Sequence, residues 1–404
     1  MGVIQGKSQA LEWEQARQLV VETVRQDRSD IKTESVPLKE AHGRVLALDL
    51  VSDRDYPPVA RSLRDGFAVH SSETPGTFSI QGELRAGEAG TTSLPAAWAI
   101  EIMTGAPAPS DADAVVMVET VEREGDKVII KDAAKPGQFI NVQGTEAKKG
   151  ALLIHAGTRL DASHIATLAM TGHQSVNVYR KPAVAILPTG DELVEVGDTP
   201  APHQIRNSNS YALAAMVQAA GGNPVVLPVA PDTKEGLSAL LEQGLQQDLL
   251  LISGGVSAGK YDLVKPCLRD LGAEFFFERV RIQPGQPTAF GRARGKFAFG
   301  LPGNPGSSMV TFHVFARAAL ELLSGQADAT LQILYAVFEA PFRHKAGLTR
   351  FLPALLQGNG RLLHIPWQGS SDIPALAKAN AFLIADSERE QWNAGDSIRV
   401  MLKL

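Results

Sequence analysis

Residues 249–266 read LLLISGGVSAGKYDLVKP. A short apolar run ends at Ser253 and the paired glycines Gly254 and Gly255, and the spacing from Gly254 is G-x-x-x-x-G-K-Y. Glycines at such a turn let backbone N–H groups approach an anion, and a helix expected to begin near Tyr261 adds the positive end of its dipole. The chemistry this implies is anion binding by the backbone of the glycine turn, with Lys260 close by in sequence. A nucleotide P-loop carries Ser or Thr after the lysine, to ligate magnesium. Tyr261 is too large for that position, and Asp262 offers a carboxylate instead. The stretch reads as an anion-binding loop of another kind, or as a glycine turn followed by an N-cap aspartate.

Three further loops carry chemistry. In PTGDE (188–192), Asp191 and Glu192 follow a Thr-Gly turn, and two adjacent carboxylates suit either a magnesium site or a solvated loop. Asp232 stands three residues before Glu235, the spacing of a capping box, so it reads as a helix cap as readily as a site residue. In LPGNPGSS (301–308), Pro302 and Pro305 stiffen the turn around Gly303 and Asn304, and the serines after Pro305 are candidate caps of the next helix. The nine histidines show no zinc-binding spacing such as H-E-x-x-H, and residues such as His173 and His313 read as core or surface. There is no G-x-S-x-G elbow, and Cys267 has no neighbouring histidine motif to activate it.

The elements around these loops follow one rule. AVAIL (183–187), PVVLPV (224–229), DLLLIS (248–253) and FAFGL (297–301) read as strands, and each is followed by one of the four polar or glycine-rich loops. Helical patterns lie between them: Asn207 to Ala220, the segment after Asp232 with Leu237, Leu240, Leu241 and Leu245 on one face, YDLVKPCLRDLG, and GSSMVTFHVFARAALELL. Alternating strands and helices argue for a doubly wound α/β domain over 181–328. If its strands are parallel, all four loops share the sheet edge where open α/β sheets bind ligands. Upstream, LEWEQARQLVVETVR places Trp13, Ala16, Val20 and Val24 at helical spacing. Short β-type runs such as TFSIQGEL and DKVIIKD fill about 66–144, helical texture returns over 145–180 with HIATLAM, and the tail is β-like, with Ile398, Val400, Leu402 and Leu404 alternating.

A chain of 404 residues exceeds one ordinary core, so two to four domains are expected. With 44% hydrophobic and 21% charged residues it is ordinary for a soluble globular protein, and a net charge of -5 gives no reason to expect nucleic acid or an acidic membrane as partner. One cysteine excludes an internal disulfide and fits a reducing compartment. The first residues lack a signal-type apolar core and no apolar run reaches the roughly 18 residues of a membrane span, so the expectation is a cytoplasmic protein.

GRVLALDLVSDRDYPPVARSLRDGFAV (43–69), IMTGAPAP (102–109), LPTGDEL (187–193), SGGVSAGKYDLVK (253–265) and GLPGNPGSS (300–308) together resemble the molybdopterin molybdenumtransferase family, which includes bacterial MoeA and the E domain of gephyrin. The motifs run in the family's order over nearly the whole chain. The resemblance implies an extended helical linker domain (1–55 and 145–180), a small β domain (56–144), the central α/β molybdopterin-binding domain (181–328) and a C-terminal β-barrel (329–404). It also implies a homodimer whose site combines the α/β domain of one subunit with other domains of its partner. The reaction implied is magnesium-dependent cleavage of adenylylated molybdopterin, with insertion of molybdate (or tungstate) and release of AMP. An adenylyltransferase and apo-molybdoenzymes are the implied transfer partners.

Carried over position by position, the resemblance assigns Asp65, Glu192 and Asp262 to metal or water handling, with Thr104 beside them as a catalytic position. Ser253, Gly254, Gly255, Ser257, Gly259 and Lys260 would cradle the pterin phosphate, and Asp232, Pro302, Asn304 and Pro305 would complete the substrate site. Arg350 and Ser370 match positions that contact oxyanions. The sequence also departs from the pattern. The usual K-P-G-K loop is Gln283-Pro284-Gly285-Gln286, the arginines usual before a Gly-Glu-Asp are Asn141, Val142 and Gln143, that Gly-Glu-Asp is Gly144-Thr145-Glu146, and the usual Asp-Asn-Ser is Ala60-Arg61-Ser62. Each charge-assisted hydrogen bond lost is worth about 1.5–3 kcal/mol, with Arg279 and Arg281 nearby in sequence as compensating cations. Three functions follow: an active insertase, a catalytically weakened pterin-binding dimer serving as a scaffold, and a molybdopterin adenylyltransferase.

Overall fold

The computed structural model describes residues 10–27, 31–89, 93–256 and 263–403. The chain forms two compact units, one of residues 1–47, 157–161 and 175–404, the other of residues 48–156 and 162–174.

The first unit is built on a six-stranded sheet. In chain order its strands are β1 (Ala183–Pro188), β2 (Asn223–Val226), β3 (Leu249–Ser253), β4 (Glu274–Phe277), β5 (Ala289–Ala293) and β6 (Lys296–Leu301). Their spatial order is β2-β1-β3-β6-β5-β4. The first four are mutually parallel, and the last two join antiparallel. Side-chain alternation shows why helices cover both faces. Val184, Ile186, Leu249, Leu251, Phe297 and Phe299 enter one core with helix Asn209–Ala219 and the residues 310–322. Ala185, Leu187, Leu250, Ile252 and Ala298 enter the other with helices Lys234–Gly244 and Val264–Asp270. Strands apolar at every position need cover on both sides, which is the physical content of a doubly wound sheet.

The N-terminal helix, Trp13–Gln26, buries Trp13, Ala16, Val20 and Val24, the stripe read from sequence. It packs in the first of these cores together with Phe351 and Met401 of the C-terminal region. That region is barrel-like: Thr349–Leu356, Arg361–His364, Ile333–Phe338, Ser397–Leu402 and Ala381–Ala385 follow one another in the sheet, and Ala381–Ala385 pairs back onto Thr349–Leu356. The alternation expected at the chain's end holds through Ile398 and Val400, then breaks. Met401 is buried in the first core and Val400 in the barrel's own, so the strand is covered on both faces there, and the cover ends at Leu402, which is 39% exposed; Leu404 lies outside the described residues.

The second unit carries another six-stranded sheet, ordered Ala114–Met117, Gly66–Val69, Trp98–Ile102, Gly76–Leu84, Lys127–Ile130, Val121–Glu124, and a helix at Ala162–Met170. Phe67, Val69, Phe78 and Val116 fill one face, and Ala68, Ile100, Ile102 and Val115 the other. No helix among the described residues is long and apolar enough to cross a membrane.

Gly66 lies where a Cβ would overlap the backbone carbonyl of Val116. Gly66→Ala is therefore expected to destabilise by about 2–4 kcal/mol, read as a lowered midpoint in urea. His313 is buried, its Nδ1 has no hydrogen-bond partner, and desolvation lowers its pKa from 6.5 to about 3. The unfolded chain takes up that proton first as pH falls. Stability is therefore expected to fall from pH 6.5 toward 3, by roughly 1 kcal/mol per pH unit from this group, and thermal midpoints of His313→Gln are expected to flatten over that interval.

Candidate functional site

The carboxyl ends of β2, β1, β3 and β6 open onto a cleft of about 490 Å³, lined by Thr189, Gly190, Glu192, Asp232, Ser253, Gly254, Gly255, Pro302, Gly303, Asn304 and Pro305 among others. All four sequence loops thus reach one edge, as parallel strands require. Backbone bonds hold the loops together: Thr189 N donates to Ser253 O at 3.1 Å, Gly254 N to Leu301 O at 3.0 Å, and Gly190 N to Ala230 O at 3.3 Å. Packing between them is close enough to need glycine. A Cβ on Gly254, whose φ is +103°, would lie 2.8 Å from Thr189 O, and one on Gly255, at φ +63°, would lie 2.8 Å from Val264 Cγ2.

The adjacent carboxylates of the Thr-Gly turn separate. Asp191 Oδ1 accepts from the backbone N–H of Asp232 at 3.1 Å and so ties two loops, while Glu192 is exposed and lines the cleft. Asp232 does not cap the next helix. That helix begins at Lys234 with Thr233 as its N-cap, which makes no side-chain cap bond, and Asp232 faces the cleft instead. The serines after Pro305 do not cap their helix either: Asn304 is the N-cap, with Pro305 in the first turn. Asn304 Nδ2 donates to Ser370 Oγ at 3.0 Å and Gly306 N to Ser370 O at 2.7 Å, which fixes Ser370 beside the Pro302–Pro305 loop. Ser257, Gly259, Lys260, Tyr261 and Asp262 lie outside the described residues, and the helix expected near Tyr261 begins at Val264.

Gln283 ends the strand Val280–Gln283 and pairs in register with Arg350. Val280 N donates to Gln286 O at 2.9 Å, Thr288 N and Oγ1 both donate to Gly285 O, and Pro287, next in the chain, lines the cleft. Arg350 is half-buried, and its buried Nε has no hydrogen-bond partner among the described residues.

In the second unit, Asp65 Oδ1 accepts from Thr104 N at 2.6 Å and Thr104 Oγ1 at 2.8 Å. These bonds, the backbone N–H first, hold the exposed Asp65 carboxyl below the usual carboxylate range. Arg61 pairs in register with Asn141. A cation thus stands on the strand beside a position where the resembled family carries arginine.

Arg206, Asn207, Ser208 and Asn209 also line the cleft and were not foreseen. Asn209 Nδ2 donates to Ser253 Oγ at 2.8 Å and to Gly303 O at 2.6 Å, clamping two of the loops. The signal was present in the sequence: a run of polar residues, RNSNS, opens a helix after a short loop, but it follows no strand of the parallel set. Among the described residues no group of three or more His, Cys, Asp and Glu is placed to hold a metal ion. Glu192 and Asp232 in one cleft still fit magnesium, which is commonly held by one or two carboxylates and completed by substrate phosphates.

Three family models match the chain in sequence order: the MoeA N-terminal region (domains I and II) at 11–172, a probable molybdopterin binding domain at 185–322, and the MoeA C-terminal region (domain IV) at 335–403. The chain is similar to the molybdopterin molybdenumtransferase of Staphylococcus epidermidis, at 31% identity covering 95% of this chain and 94% of that one. It is similar to that of Bacillus subtilis at 34% identity, covering 92% and 90%. Two crystal structures of the molybdopterin biosynthesis protein MoeA from Pyrococcus horikoshii superpose with TM-scores of 0.81 and 0.76, at 28% and 31% identity, each covering 98% of this chain. With its α/β cleft, its barrel-like C-terminal sheet and relatives of this kind along nearly its full length, the chain belongs to the MoeA family of molybdopterin molybdenumtransferases.

Proposed function

We propose that this protein inserts molybdenum from molybdate, or tungsten from tungstate, into adenylylated molybdopterin, with magnesium-dependent hydrolysis of the phosphoanhydride and release of AMP. The observation that carries the reading is the convergence of four loops from four parallel strands on one cleft with two carboxylates, in a chain whose relatives share the name of that activity. Glu192 and Asp232 would hold magnesium, whose chemistry is to neutralise phosphate oxygens as charge shifts in the phosphoanhydride. Gly254 and Gly255, packed closely on Thr189 and Val264, line the cleft with backbone on which a flat, anionic ligand would rest. Arg350, paired with Gln283 at the start of the glutamine turn, would meet molybdate with its guanidinium. Thr104 fixes the Asp65 carboxylate and stabilises its charged form, so that Asp65 would orient water or hold a cation. Lys260 and Asp262 are assigned phosphate and metal roles by their place in the motif. The protein acts as a homodimer in the cytoplasm and exchanges material with an adenylyltransferase and apo-molybdoenzymes. The finer division into linker, small β, α/β and barrel domains belongs to the same reading.

The test is AMP release from adenylylated molybdopterin with magnesium and molybdate, coupled to activation of an apo-molybdoenzyme. The native protein is expected to turn over. Glu192→Gln is expected to lower kcat by about 10²–10³-fold, since a carboxylate facing the metal and phosphate is lost. Binding without release, restored by Gln283→Lys with Gln286→Lys, would overturn the insertase reading and leave a pterin-binding scaffold.

A further inference from the structure

The described lining of the cleft carries an imbalance of charge. Among its described lining residues two are acidic, Glu192 and Asp232, and one is basic, Arg206. The turn that reaches the cleft through Pro287 carries the neutral Gln283 and Gln286 and no cation. A ligand containing a phosphoanhydride brings further negative charge, and an acidic wall repels it unless cations answer.

The fold holds Arg206 in position before any ligand arrives. Leu193–Val194 and Ile205–Arg206 form a parallel two-stranded ribbon, with Leu193 opposite Ile205 and Val194 opposite Arg206. Ile205 N donates to Glu192 O and Asn207 N to Val194 O, each at 2.9 Å, so Arg206 is tied to the segment that carries Glu192. Its Nε donates to Asp198 O at 3.0 Å. That single bond orients the guanidinium plane and leaves both Nη groups without a partner among the described residues. A planar fork held by its Nε is preorganised for two phosphate oxygens. Ile205, 57% exposed, lines the cleft next to it and offers apolar surface beside the cation.

We propose that Arg206 binds phosphate oxygens of the substrate, supplying the positive charge that Gln283 and Gln286 do not, with Ile205 packing on the adjacent ring system. The inference deepens the molybdenum-insertion reading and rests on it for the identity of the substrate. It predicts a cation dependence located on the Leu193–Arg206 ribbon and not on the glutamine turn.

The experiment compares the native protein, Arg206→Gln and Arg206→Lys in two measurements: KM and kcat for AMP release, and equilibrium binding of inorganic pyrophosphate with magnesium over a range of salt. Arg206→Gln is expected to raise KM and weaken pyrophosphate binding by about 10- to 100-fold, with kcat falling by less, and to make binding less sensitive to salt. Arg206→Lys keeps the charge and loses the fork, so an intermediate loss at an unchanged thermal midpoint separates recognition from folding. Native-like KM and pyrophosphate affinity in Arg206→Gln would overturn the proposal while leaving the insertase reading intact. Absence of AMP release from the native protein, with pyrophosphate binding lost in Arg206→Gln, would instead sink the insertase reading and leave the phosphate site standing.

Discussion

The structure depends on parallel pairing of four strands that are apolar on both faces. Leu249–Ser253 is buried at every position, and its register with Ala183–Pro188 and Lys296–Leu301 leaves no room for a solvated face. Helices must then return each strand to the same end of the sheet, so every connection leaves from one edge. The cleft follows from this geometry. Loops that are dispersed over more than a hundred residues of sequence meet because the strands before them point the same way.

Close approach is the second constraint, and it explains the glycines better than flexibility does. Gly190, Gly254 and Gly255 have positive φ values, and a Cβ at Gly254 or Gly255 would press on Thr189, Val264 or both. Gly303 comes within van der Waals reach of Gly254 by the same measure, at 3.5 Å from its Cα. The loops form one interlocked surface, with Asn209 bonded to Ser253 and Gly303 as its clamp. Such a surface sets backbone groups at fixed positions and spares a bound anion the cost of ordering them.

Charge is distributed less evenly than the motifs suggest. The described lining of the cleft holds Glu192 and Asp232 with Arg206, on a short ribbon beside Glu192, as its cation, while Arg350 stands on a barrel strand paired with Gln283 and, in the second unit, Arg61 stands opposite Asn141. Of the positions that depart from the family's pattern, Gln283 and Asn141 have guanidinium groups as cross-strand neighbours. A strand pair places residues far apart in sequence about 5 Å from each other, so a cation's neighbours are set by register and not by sequence distance.

The sequence by itself determined the α/β alternation, the buried stripe of Trp13, Ala16, Val20 and Val24, and the four loops, because hydrophobic period and glycine placement are local properties that burial reads directly. The family was legible too, since five motifs in a fixed order constrain a chain far more than any one of them. Tertiary structure alone decided the rest. It split Asp191 from Glu192 by giving one a backbone partner on a neighbouring loop, put Thr233 and not Asp232 at the N-cap position, and buried Met401 where strict alternation placed it outside. It also brought in Arg206 and Asn209, which no strand-end rule indicates. The physical reason is common to these cases: which partner a polar group finds depends on elements distant in the chain, and spacing along the sequence carries no record of them.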